Sequence, residues 1–211
     1  KFVTGNMAAA TISKKVACLA SNTSSAGSPG QAAQTLYLQA WKSDQTTFAC
    51  SAANQDFRSG QTVNVGFSLQ CVNPTSCVAG QTAAVNGTNI ALAPATPATP
   101  GTAGYTNVAL TFDGEAKAPV EFSYTDAGRV QIWTSYNLPG AGAAPPNHMN
   151  GVSNAFAVAP ASFRINSVST SGGTANPISW PSTATPAMAT TGFTYAGDQL
   201  LLTMDAMNAC A

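Results

Sequence analysis

The sequence predicts an all-β chain: an immunoglobulin-like β-sandwich followed by a partial second β module. Three observations carry that expectation. Helix signals are scarce, because apolar residues seldom recur at three-four spacing and Gly, Pro, Asn and Thr interrupt most windows. Short runs that alternate apolar with polar or small residues are frequent. Turn residues separate these runs, and seven or more short strands of this kind suggest two packed sheets.

The elements follow in order. Residues 12–19 open the series. Residues 35–42 set Leu36, Leu38 and Ala40 against Tyr37, Gln39 and Trp41. Residues 62–69 set Val63, Val65 and Phe67 against polar or small neighbours, and residues 108–112 place Val108, Leu110 and Phe112 on one face. After a strand at 119–124, residues 129–136 place Val130, Ile132 and Tyr136 on one face and Arg129, Gln131 and Trp133 on the other. Residues 155–158 read as a closing strand. A half-buried strand requires such alternation, so Val63, Val65, Phe67, Leu110, Phe112, Phe122, Val130 and Ile132 are the expected core. Strands at 162–168 and 199–207 come last. The final one carries Leu200, Leu201, Leu202, Met204 and Met207, too apolar to leave in water on both faces. It is expected to be covered by the first sandwich, by downstream sequence or by a partner.

Two segments break the rhythm. Residues 93–104 carry Pro94, Pro97 and Pro100, a threefold spacing that favours polyproline II and forbids a central strand. Residues 138–151 form a second long loop with Gly140, Gly142, Pro145 and Pro146. A boundary is expected near Pro160, giving a sandwich over 1–159 and an incomplete module over 160–211.

Charge excludes several functions. Eight basic and eight acidic residues cancel, and charged residues make up 8% of the 211, against about 25% in an ordinary soluble domain. No basic stripe can form, so nucleic acid is not an expected partner. Docking on anionic membranes is disfavoured for the same reason. No apolar stretch approaches the ~20 residues of a membrane helix. Apolar residues nonetheless reach 45%, enough for a core. The first ten residues lack the apolar run of a signal peptide, and there is no initiator Met. A processed piece of a longer chain is therefore expected.

The cysteines are Cys18, Cys50, Cys71, Cys77 and Cys210. They show no CxxC spacing and no nearby histidine, so a zinc site is not expected. Cys71 and Cys77, with Pro74 between them, are expected to close a short disulfide loop. Cys18 and Cys50 would then pair by elimination, although four cysteines allow three pairings and sequence alone does not choose. The leftover Cys210 is expected to find its partner downstream. Disulfides imply an oxidising compartment, the periplasm or the cell exterior.

No catalytic constellation emerges. His148 is the one histidine, in a Pro-Pro-Asn-His-Met-Asn loop, and no Gly-x-Ser-x-Gly elbow surrounds a serine. Asp113 and Glu115 sit at a turn, where solvation is the expected state. A calcium site there would want six or more oxygens and an Asp-rich loop that is missing. No phosphate-binding or dinucleotide glycine motif is present. The expectation is a protein that is not an enzyme and needs no cofactor or metal. Trp133, Arg129 and Gln131, on the face opposite the core, are the candidate contacts for a ligand or partner, weighed against simple packing on a neighbouring strand. Asn22 and Asn86 match glycosylation acceptors, which a bacterial origin would make accidental.

One ordered set of motifs goes further. Phe112–Asp113 precedes a Tyr124–Asp126–Gly128 corner, then comes Pro160 with Phe163, then Ala196–Gly197 ahead of Ala206, Asn208 and Ala209. In this order the chain resembles the C-terminal region of the mannose-sensitive haemagglutinin (MSHA) type IV pilus biogenesis protein Q, or agglutinin biogenesis, family. The resemblance covers about half the chain and departs at Ala159, where that family more often has Arg. It implies export and a link to type IV pili. Partners would then be other pilus or cell-surface proteins, glycan and the downstream part of the same chain. The expected function is an extracellular, pilus-associated or surface-displayed structural or adhesive role. The alternatives are a carbohydrate-binding accessory module of a secreted enzyme and a structural subunit of a surface filament.

Overall fold

The computed structural model describes residues 2–3, 12–22, 33–43, 50–52, 57–93, 104–137, 148–170, 199–208 and 210. Residues 94–103 and 138–147, which hold most of the two expected loops, lie outside this set, as does Trp180.

The fold is all-β and immunoglobulin-like. Among the described residues every regular element is a strand. In chain order these are β1 (Phe2–Val3), β2 (Lys15–Val16), β3 (Leu36–Gln39), β4 (Trp41–Ser43), β5 (Cys50–Ala52), β6 (Thr62–Asn73), β7 (Ala83–Val85) and β8 (Thr88–Ala93). They continue as β9 (Thr106–Thr111), β10 (Lys117–Val120), β11 (Phe122–Tyr124), β12 (Gly128–Asn137), β13 (His148–Val152) and β14 (Phe156–Ala159). The last two are β15 (Ser162–Thr170) and β16 (Leu200–Met207).

Two compact units result, Lys1–Pro160 with Asn208–Ala211, and Ala161–Met207. The final four residues thus count with the first unit, where an unbroken second module over 160–211 was expected.

In the first unit a small sheet runs β1-β3-β10 and a larger one β11-β7-β8-β6-β12-β14-β2, with β9 on β6 and β13 on β12. Their inward residues meet in one core: Leu36, Leu38, Ala118 and Val120 from the small sheet, Val63, Val65, Phe67, Leu110, Val130 and Ile132 from the larger. All eight residues expected in the core are buried. The long strand β6 shows why, since Val63, Val65, Phe67, Leu69 and Cys71 take every second position.

Several expected strands are cut. Only Lys15 and Val16 of 12–19 pair in a sheet, in parallel with β14. The expected strand at 119–124 is broken at Glu121, so that β10 joins the small sheet and β11 the larger. This crossing is clamped by Asn86. Its Oδ1 accepts from Glu121 N–H at 2.7 Å, and its Nδ2 donates to the Pro119 carbonyl at 3.2 Å. Asn86 and Gly87 also make the β7–β8 turn, both at positive φ (48° and 75°). That is the Asn-Gly hairpin signal, so Asn86 is a turn residue as well as a match to a glycosylation acceptor.

The described part of the second unit is the antiparallel pair β15–β16, with an irregular register between Ile165 and Ser167. Arg164 pairs with Asp205 across it at 3.1 Å. Phe163, Ile165, Leu200, Leu201, Leu202 and Met204 are exposed.

Candidate functional site

β12 is the spine on which the candidate residues sit, and the corner before it fixes where that spine starts. Tyr124 is buried, and its hydroxyl donates to Cys71 Sγ at 3.4 Å. Burial, and then the nearby Asp126 charge, push this phenol up to about 12. Asp126 Oδ1 accepts from the Ala127 N–H at 2.8 Å, the local turn bond expected of it. At Gly128 the reason for glycine is close approach: a Cβ would lie 2.9 Å from the Asn73 carbonyl oxygen, with φ at +156°.

Both disulfides converge on this corner. Cys71 and Cys77 are bonded, with Cα atoms 5.3 Å apart, as expected. Cys18 is bonded to Cys210, with Cα atoms 5.2 Å apart, and not to Cys50. The expected Cys18–Cys50 bridge is therefore corrected, as is a downstream partner for Cys210. The backbone shows the cause. Cys18 N–H donates to the Tyr124 carbonyl at 2.7 Å, and Asn208 Nδ2 donates to the Thr125 carbonyl at 3.0 Å. Cys18 and Asn208 are thus held beside one corner, while Cys50 falls opposite Ser43 in the β4–β5 pair.

Asp113 and Glu115 act within their own turn. Asp113 Oδ1 accepts from the Glu115 and Lys117 amides, both at 2.9 Å. Lys117 lies 2.6 Å from the Glu115 carboxylate and over the Tyr37 ring. The hydrogen bond that the Lys117 ammonium donates to the Glu115 carboxylate is the leading cause raising it above its usual range. Among the described residues no three of His, Cys, Asp and Glu group closely enough to hold a metal. His148 begins β13, opposite Asn137. Asn22 Nδ2 donates to Glu121 at 2.8 Å.

Arg129, Gln131 and Trp133 take alternate positions on β12, away from the core. Arg129 is exposed; Gln131 and Trp133 are half-buried. Trp133 Nε1 donates to Gln70 Oε1 on β6 at 2.9 Å, and Gln131 Nε2 donates to the Ser153 carbonyl at 2.7 Å. Two of the three are therefore anchored on neighbours, which fixes a Trp ring at the surface.

Further along the same face lies a group that sequence reasoning missed. Gly66 on β6 pairs with Ser135 on β12 and with Asn107 on β9. Around this point Asn64, Tyr105, Asn107, Ser135, Tyr136 and Asn137 surround a polar hollow of about 320 Å³. Tyr105 crosses over Gly66, where a Cβ would meet the Tyr105 Cβ at 3.1 Å. Burial raises the Tyr105 phenol above its ordinary range. Ser135 is 6% exposed, and its Oγ has no hydrogen-bond partner among the described residues. The available signal was the outward set Asn64, Gly66 and Asn107 on alternating strands, but only the pairing brings it beside Ser135 and Asn137.

A second cavity, about 400 Å³, opens at one end of the core and is mainly apolar. Trp41, Phe57, Tyr136 and Met149 border it. Phe57 packs edge-on against Phe112 and Tyr136, with ring centroids 4.8 and 5.0 Å away.

Residues 4–152 match the family model described as a domain of unknown function (DUF6701), first Ig-like domain. No curated protein and no solved structure matches the chain.

Proposed function

For a chain that belongs to the DUF6701 family through its first Ig-like domain, we propose a structural or adhesive role at the bacterial cell surface. The observation that carries this reading is the pair of disulfides at the Tyr124–Gly128 corner. One of them joins residues of the first unit that lie 192 positions apart in the sequence. Bridges of this kind persist in oxidising compartments. The low charge content and zero net charge add support, since a rigid neutral sandwich suits contact surfaces better than electrostatic capture. The resemblance to the MSHA protein Q family makes the type IV pilus the assembly of choice, with other pilus or surface proteins as partners. The test is surface labelling of intact cells that express the full-length protein, using a membrane-impermeant amine reagent and protease shaving. Labelling of this region on intact cells is the expected result. Protection until the cells are lysed, together with free thiols at Cys18 and Cys71, would overturn the reading.

The anchored Trp133 favours a second reading, a carbohydrate-binding module of a secreted enzyme. A catalytic domain in the same polypeptide would support it.

A further inference from the structure

We propose that the polar hollow over Gly66 is a binding subsite for one neutral sugar residue. The inference rests on the adhesive reading and names the ligand class it would use.

The first argument is what lines the hollow. Three carboxamides, from Asn64, Asn107 and Asn137, line it with the Ser135 hydroxyl and the Tyr105 phenol. No charged side chain is among them, which disfavours phosphate, sulfate or carboxylate ligands, because those are held by Arg, Lys or helix N-termini. A carboxamide offers two N–H donors and a carbonyl acceptor. A ring hydroxyl needs both at once, so neutral polyols are the matching class. The Tyr105 ring supplies a flat apolar face on which a sugar C–H face stacks. The volume of about 320 Å³ lies at the small end of ligand sites.

A second, independent observation is the orphan hydroxyl. Ser135 Oγ is buried without a partner among the described residues. Such a group normally finds one, and a ligand hydroxyl supplies it. The third is preorganisation. The hollow is floored by the paired strands β9, β6 and β12, so its side chains start from a rigid sheet, and binding orders little. Gly66 leaves room for this shape, since a Cβ there would crowd both Tyr105 Cβ and the Ser135 carbonyl oxygen at 3.1 Å. Trp133, two residues from Ser135 on the same face of β12, is placed to contact the next residue of an oligosaccharide.

The experiment is an NMR titration of the isotope-labelled full chain. The probes are the methyl glycosides of mannose, galactose and glucose, and N-acetylglucosamine. At least one should shift the side-chain amides of Asn64 and Asn107 and the backbone amides of Gly66 and Ser135 saturably, with Kd on the order of 1 mM for a single residue. Asn107 is exposed, so Asn107→Ala should melt as the parent does yet bind about fivefold more weakly. Tyr105→Ala should weaken binding further. The proposal is overturned if none of the four sugars gives saturable shifts at these residues, or if binding survives Asn107→Ala unchanged. A chain exposed on cells that binds none of the sugars loses this inference alone. A chain that binds a sugar but is never exposed loses the surface reading alone.

Discussion

The pairs β6–β12 and β15–β16 are both antiparallel and both carry large apolar side chains, but only the first is buried. Phe67 and Leu110 around β6 are 0% and 1% exposed, whereas Phe163 and Leu201 in the second unit are 72% and 62% exposed. The difference lies in what faces them. β6 and β12 have a second layer, since residues of β3 and β10 join the same core. The described part of the second unit is a two-stranded sheet, and two strands by themselves supply no opposing layer for their apolar side chains. Alternation therefore states which side a strand would bury. Whether burial happens depends on a partner sheet.

The largest expected effect breaks the first region at its closure. Cys18→Ser with Cys210→Ser removes a bridge spanning 192 residues, and the chain-entropy argument then predicts a loss of up to about 5 kcal/mol. Denaturant unfolding under oxidising conditions measures it. A loss below about 1 kcal/mol would mean that the bridge does not constrain the unfolded first unit.

Next comes the core itself. Phe67→Ala should cost about 3–5 kcal/mol through lost contacts and a residual cavity. The check is the same unfolding curve, with a shifted midpoint and an unchanged slope. A cost under about 1 kcal/mol would place Phe67 outside a packed core and undo the contrast.

The smallest effect sharpens the other side. Leu201→Ser in the exposed hairpin should change unfolding free energy by no more than about 0.5 kcal/mol. A loss comparable to that of Phe67→Ala in the isolated chain would show that Leu201 is covered in solution and that the two regions are not different in kind.

Much of the core was legible because a period of two is a local property. Val63, Val65 and Phe67 announce their inward side by their own neighbours, and so do Val130 and Ile132. The outward set Arg129, Gln131 and Trp133 followed from the same count. The Cys71–Cys77 loop was legible too, because six residues with a turn between them nearly dictate the closure. The break at Glu121 was hidden, since the residues on either side suit a strand equally well. What divides them is Asn86, 35 residues away.

By itself, then, the sequence determined the all-β class, the inward and outward residues of the main strands and one disulfide, all of which depend on neighbours a few positions apart. Tertiary structure alone decided that Cys18 meets Cys210. It decided that one continuous run splits between two sheets, and that Asn64, Asn107, Ser135 and Asn137 gather around Gly66. The physical reason is that each of these depends on which strands become neighbours. That choice is made by the joint burial of the whole core, and no local spacing encodes it.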